Sequence, residues 1–168
     1  MWYAVQVRTG REENIIQYSK LLVDRQVLTE CFLPKYEQKK KYRGEWHIEH
    51  KLLFPGYLFM ISDTPDELYQ ALKNIPDLTK VLRDDDYLIP IKEEEKAFLL
   101  HFGKEEHVVE MSYGYMEGEK VTITEGPMKD FDGKIIKIDR HKRTAVIEVE
   151  FFDRKMEVKV GLEVVRKG

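Results

Sequence analysis

The chain has 168 residues, of which 42% are hydrophobic and 35% charged, with a formal net charge of −3. Such a length holds one ordinary domain or two small ones, and such a hydrophobic share excludes a disordered chain. A mixed charge close to neutrality argues against gripping nucleic acid by bulk charge and leaves only local basic patches.

Cys31 is the only cysteine, so no intramolecular disulfide can form, which fits a reducing cytoplasm. No apolar run reaches membrane-spanning length, and the opening MWYAVQVRTG lacks a basic region followed by an apolar one. A soluble, cytoplasmic protein is expected.

WYAVQV (2 to 7) alternates and is rich in aromatic and branched residues, which predicts a strand. Thr9 with Glu12 three residues later reads as a capping box opening a helix. The stripe Ile15, Tyr18, Leu22, with Ile16, Val23 and Val27, carries that helix to about Gln26 or Val27. Residues 30 to 36 predict a second strand, with Pro34 at an edge or bulge. KYEQKKKYRGEWHIEHK (35 to 51) reads as a long basic hairpin tip followed by a strand. LLFPGYLFMIS supplies the next strand, broken by Pro55-Gly56.

Thr64-Pro65-Asp66-Glu67 predicts a short helix that stops before Ile75-Pro76. A strand is expected at 79 to 83, a turn at the acids 84 to 86, and a last helix from Lys92 to Phe102, with acids in its first turn and Gly103 ending it. Residues 104 to 117 lose both periodicities and read as a linker. Beyond it come five short strands, EKVTITE, GKIIKIDR, RTAVIEVEFF, KMEVKV and LEVVR, which suggest a small barrel.

WYAVQVRTGREENI, followed by a basic hairpin and LLFPGYLFM, resembles the NGN domain of NusG/Spt5 transcription elongation factors. GEKVTITEGPMKDFDGKIIKIDRHKRTAVIEVEF resembles the KOW motif that follows it, above all in the loop Glu125-Gly126-Pro127 to Asp130-Phe131 and Gly133. The resemblance covers nearly the whole chain in the right order. It implies an α+β (α/β sandwich) NGN domain at 1–103, with a mixed or antiparallel sheet and three helices. A linker at 104–117 and a small SH3-like β-barrel KOW domain at 118–168 complete the expected organisation.

The family's role implies that the NGN domain docks on the clamp helices of RNA polymerase and bridges the DNA cleft. The KOW barrel then holds nascent RNA, Rho or a ribosomal protein. The chain departs from housekeeping members at Phe152-Asp153-Arg154-Lys155, where that pattern has Phe-Gly-Arg and a Thr-Pro pair. LLFPGYLFM is closer to specialised paralogs, among which LoaP-type antiterminators, thought to read an RNA hairpin, are the nearest. A monomer is expected.

Phe54, Pro55, Tyr57 and Phe59 are the expected polymerase contacts, because buried aromatics tend to dominate interfaces. Each of them singly also fits a core position. In the KOW segment Lys129, Phe131, Arg140, His141, Lys142, Arg143, Phe152, Arg154 and Lys155 lie in turns. If these turns converge at one end of the barrel, they form one cationic patch around Phe131 and Phe152, suited to an RNA loop or bulge. Plain hairpin turns have the same composition. Lys39, Lys40, Lys41 and Arg43, flanked by Lys35, Lys51 and Trp46, form the clearest local charge excess, which fits a solvated loop and which the resemblance places near the polymerase lobe and upstream DNA, as nonspecific phosphate contacts. Arg8 and Arg11 are further candidates, facing nontemplate DNA.

His47 and His50, three apart on a strand, face opposite ways and cannot share a metal ion. The lone cysteine lacks a partner ligand. No phosphate loop or nucleophile elbow occurs, so no enzyme, cofactor or metal is expected.

Overall fold

The computed structural model describes residues 1–78 and 88–167. The strand expected at 79 to 83 and the acidic turn at 84 to 86 lie outside the described residues. In chain order the elements are β1 (Trp2–Gln6), α1 (Glu12–Leu22), β2 (Glu30–Phe32), β3 (Lys35–Tyr42), β4 (Glu45–Leu52), β5 (Tyr57–Ile61), α2 (Pro65–Leu72) and β6 (Leu88–Pro90). They continue with α3 (Glu93–Gly103), β7 (Val108–Val109), β8 (Ser112–Glu117), β9 (Lys120–Glu125), a 3-10 turn (Pro127–Asp130), β10 (Lys134–Asp139), β11 (Thr144–Phe151) and β12 (Arg154–Arg166). By the density of its contacts the chain divides into two units, Met1–Leu33 with Phe54–Lys96 and Pro34–Leu53 with Ala97–Gly168.

The first unit is built on an antiparallel sheet in the order β2-β5-β1-β6. Its two inner strands carry Tyr3, Ala4, Val5, Leu58, Phe59 and Met60, all buried. Tyr57 to Met60 of β5 are buried on both faces of the strand, so apolar residues run without alternation, as in LLFPGYLFM.

α1 buries Glu12, Ile15, Ile16 and Ser19, with Val23 just beyond it. Tyr18 and Leu22, expected in the stripe, are exposed. The buried face passes through two polar residues, Glu12 and Ser19, which a search for apolar periodicity steps over. The helix also stops sooner than expected. The Asp24 carboxylate accepts the Gln26 N–H at 2.8 Å, and the Asp24 carbonyl accepts those of Val27 and Leu28, turning the chain away. Pro34 does not bend one strand but separates two, β2 and β3, which belong to different sheets.

In the second unit β3 and β4 form a hairpin of eight residues a side, closed by Arg43-Gly44, both at positive φ, the pattern of a primed two-residue turn. Its lysines therefore stand mostly on strand β3 and not on a loop tip. Beside it, five strands in the order β10-β11-β12-β8-β9 make the SH3-like barrel. The set differs from the expected one. KMEVKV and LEVVR are one strand, β12, whose first half pairs antiparallel with β11 and whose second half pairs parallel with β8. The fifth strand is β8, inside the segment expected as linker. SYGYME alternates only weakly, because Gly114 sits where a side chain would collide with the backbone of Thr122 on β9.

Phe98 and Phe102 of α3 join Phe131 and Phe151 in a chain of ring contacts with centroids 4.6 to 5.8 Å apart. With Ile147, Val158, Val160 and Leu162 fully or nearly buried, this is the core of the second unit.

Candidate nucleic-acid interface

Phe54-Pro55-Gly56-Tyr57 is a type II turn. The Phe54 carbonyl accepts the Tyr57 N–H at 3.1 Å, proline holds the first central position and Gly56 the second at φ 87°. The turn is tied down from two sides. Gly56 O accepts the Val7 N–H at 2.8 Å, and the Gly56 N–H donates to Glu12 Oε2 at 2.9 Å. The other oxygen of Glu12 accepts the Gly10 N–H at 2.6 Å. The capping box expected between Thr9 and Glu12 does not form. Gly10 takes φ 95°, α1 begins after Arg11, and the Glu12 carboxylate serves two loops instead of the helix cap.

Burial corrects the expected polymerase contacts. Phe54 is 1% exposed, Phe59 0% and Tyr57 8%. Phe59 stacks on Phe32 at 5.7 Å and meets Phe54 edge-on at 5.8 Å. These rings are core, because β5 is an inner strand with no open face. Of the four residues only Pro55, at the tip of the turn, is exposed.

The basic residues sort into two places. β11 is eight residues long, so the turn before it and the turn after it are roughly 25 Å apart. Arg140, His141, Lys142 and Arg143 lie at one end; Phe152, Arg154 and Lys155 lie at the other, with Phe131 near them in front of β10, which runs antiparallel to β11. The single cationic patch around Phe131 and Phe152 is therefore not formed. Phe131 packs on Phe102 at 5.8 Å and Phe152 on Phe151 at 5.5 Å, while Lys155 pairs with Glu148 at 3.6 Å. Lys129 is exposed on the 3-10 turn.

The Arg140–Arg143 turn meets the hairpin instead. Gln38, Lys39, Lys40, Lys41, His141, Lys142 and Arg143 line an open cleft of about 390 Å³. Gln38 Nε2 donates to the Lys142 carbonyl at 3.1 Å, and Glu163 on β12 accepts from both Lys39 Nζ (3.2 Å) and Arg143 Nε (3.1 Å). Trp46 stands opposite Lys41 in the hairpin register. Three cations lie against its ring: Arg143 at 4.1 Å from the centroid, Lys39 at 5.2 Å and Lys41 at 5.6 Å.

The turn itself is held by Asp139, whose carboxylate accepts the Lys142 N–H at 3.0 Å; that backbone hydrogen bond, with the nearby cations, holds its carboxyl below the usual carboxylate range. The hydrogen bond to Lys51 does the same for Glu49, which also pairs with Lys40 at 3.3 Å. Glu163 and Gln38 carry no signal in the sequence that links them to this cleft, since their partners lie as far as 124 residues away.

Arg43 lies against the Tyr42 ring at the hairpin tip. Arg8 is exposed, and Arg11 pairs with Asp77 at 3.6 Å. Neither of these two arginines belongs to the cleft. His50 approaches Glu37 at 3.7 Å and His47 meets the Tyr42 ring, so the two histidines serve different neighbours. Among the described residues no group of three or more His, Cys, Asp or Glu is placed to hold a metal ion, and no helix is long and apolar enough to cross a membrane.

A family model described as "Transcription termination factor nusG" matches residues 1–100, and a KOW motif matches residues 117–150. The transcription termination/antitermination protein NusG of Borreliella burgdorferi is 28% identical over 181 residues, covering 99% of this chain and 97% of its own. That of Thermus thermophilus is 26% identical over 181 residues, with 99% and 98% covered. The solved structure described as "Domain interaction in Thermotoga maritima NusG" is similar with a TM-score of 0.60 at 25% identity, covering 96% of this chain and 92% of that one. The chain therefore belongs to the NusG family of transcription termination/antitermination factors, an NGN-type domain followed by a KOW motif.

Proposed function

We propose that the protein is a specialised, LoaP-like antitermination factor. It rides on RNA polymerase through the NGN-type domain and holds nascent RNA through the KOW barrel, whose first strand, β8, already lies inside the 104–117 segment. The order and extent of the two family matches along one chain support the NusG-type part of this reading, and the LoaP-like part rests on LLFPGYLFM and the departure at Phe152–Lys155. The exposed basic cleft, lined by Gln38 to Lys41 of the β3–β4 hairpin and His141 to Arg143 of the KOW segment, supports the RNA half. The polymerase half needs a solvent-facing surface at the FPGY turn. Pro55 supplies it, while Phe54, Tyr57 and Phe59 act from behind by fixing the turn on the sheet.

A general NusG role, with the barrel holding Rho or a ribosomal protein, is the second reading. It is favoured by the curated relatives, which bear the plain name NusG. Co-elution with purified polymerase, together with readthrough of an intrinsic terminator downstream of a leader hairpin, tests the first. Co-elution with readthrough only when the hairpin is present is the expected result. Absence of co-elution overturns the reading, and hairpin-independent readthrough moves it to the general one.

A further inference from the structure

Phe131 and Phe152 are half-buried, each packed against a neighbouring ring, and the basic turn at Arg140–Arg143 lies at the other end of β11. We propose that the cleft between β3 and the turn joining β10 to β11 is a single-stranded RNA site. Lys40, Lys41 and Lys142 take the phosphates, and Trp46 offers its ring to an unstacked base. This rests on the proposed function and locates its RNA contact.

Four observations converge. The cleft carries more cations than carboxylates: Lys39, Lys40, Lys41, Lys142 and Arg143 stand against Glu163, Glu49 and Asp139. Trp46 is 45% exposed although it is large and aromatic, and its cationic neighbours keep it beside phosphate-binding groups. Arg143 is held at φ 56°, a conformation costly for a side chain of its size. Its carbonyl accepts the Leu162 N–H at 2.9 Å and its side chain bridges Glu163 to Trp46, so the surroundings over-determine it.

Finally, the cleft joins segments 104 residues apart through the hydrogen bond from Gln38 to Lys142. Lysines are point charges suited to a backbone, and an exposed ring is suited to a base not already stacked in a duplex. Together they favour an unpaired stretch of RNA, such as the loop of the leader hairpin, gripped mainly by backbone and stacking contacts. An acidic peptide offers the charge but leaves the ring without a stacking partner.

The test uses the full chain carrying Trp2→Phe, which leaves Trp46 as the only tryptophan. Short unstructured oligouridylate should quench its fluorescence. Affinity should fall with salt, and Lys41→Glu with Lys142→Glu should weaken binding about tenfold or more and lower the salt slope by about 1 per lost phosphate contact. Lys41→Arg with Lys142→Arg should retain binding, and Trp46→Ala should weaken it roughly tenfold.

The proposal is overturned by absence of quenching or by equal competition from polyglutamate. It is also overturned if Lys129→Glu with Lys155→Glu, at the far end of the barrel, has the larger effect. Polymerase co-elution of the same variants is scored separately. Its loss in the unsubstituted chain counts against the family-level role, whereas its retention without RNA binding counts against this site alone.

Discussion

Glu12 shows how one buried carboxylate organises a loop region. It is 2% exposed, and both its oxygens accept backbone N–H groups, those of Gly10 and Gly56. Removing it strands the buried Gly56 N–H, whereas the exposed Gly10 N–H can turn to water. Glu12→Ala should cost about 1–3 kcal/mol, read as a lower urea midpoint at unchanged slope. Gly56→Ala should cost about 1–2 kcal/mol, since φ 87° disfavours any Cβ and Thr9 Oγ1 stands 3.3 Å from where it would sit.

Cys31 sets a different kind of dependence. Burial pushes its thiol from 9.0 up to about 12. In the unfolded chain the thiol ionises near 9.0, so above that pH the folded state binds the additional proton and stability declines. Denaturant midpoints should fall between pH 9 and pH 12, and the fall should be shallower in Cys31→Ala. At neutral pH the native thiol should resist alkylating reagents until the protein unfolds.

At the scale of elements, β12 is the member that holds the second unit together. It pairs with β11 through Gly161 and with β8 from Leu162 onward, changing partner where a glycine stands. A Cβ at Gly161 collides with the Glu37 carbonyl on β3 and the Met111 sulfur. Gly161→Ala should therefore push β3 away from the barrel, lowering the melting temperature and also weakening oligouridylate binding at the cleft. The stability cost is about 1–3 kcal/mol, as for other overpacked sites. The same element explains why β8 escaped sequence reading. A strand recruited by a parallel partner some fifty residues away needs no alternation of its own, and its Gly114 is chosen for close backbone approach.

For the molecule as a whole, the proposed mechanism is tethering. Two modest contacts, one to polymerase and one to RNA emerging from it, make each second binding event intramolecular. The full chain should leave a transcribing complex more slowly than it leaves polymerase without a transcript. Lys41→Glu with Lys142→Glu should abolish that difference while sparing polymerase affinity, as followed by dissociation from immobilised complexes.

Local physics made much of this legible from sequence. WYAVQV, Thr64-Pro65 and Glu93-Glu94-Glu95 announce β1, α2 and α3, because strand alternation and helix-start preferences are written within a few residues. Pro55-Gly56 likewise specifies its turn. What the sequence could not fix is which apolar face stays wet and which distant charges meet. Phe54 and Phe59 look the same as anchors or as core until Phe59 is seen packed between Phe32 and Phe54, both rings sealed from water. Arg143 becomes a neighbour of Trp46 only when β12 brings Glu163 under both Lys39 and Arg143. Propensity acts over a few residues, whereas burial and charge pairing follow from strand order and register, and these exist only once the chain has folded.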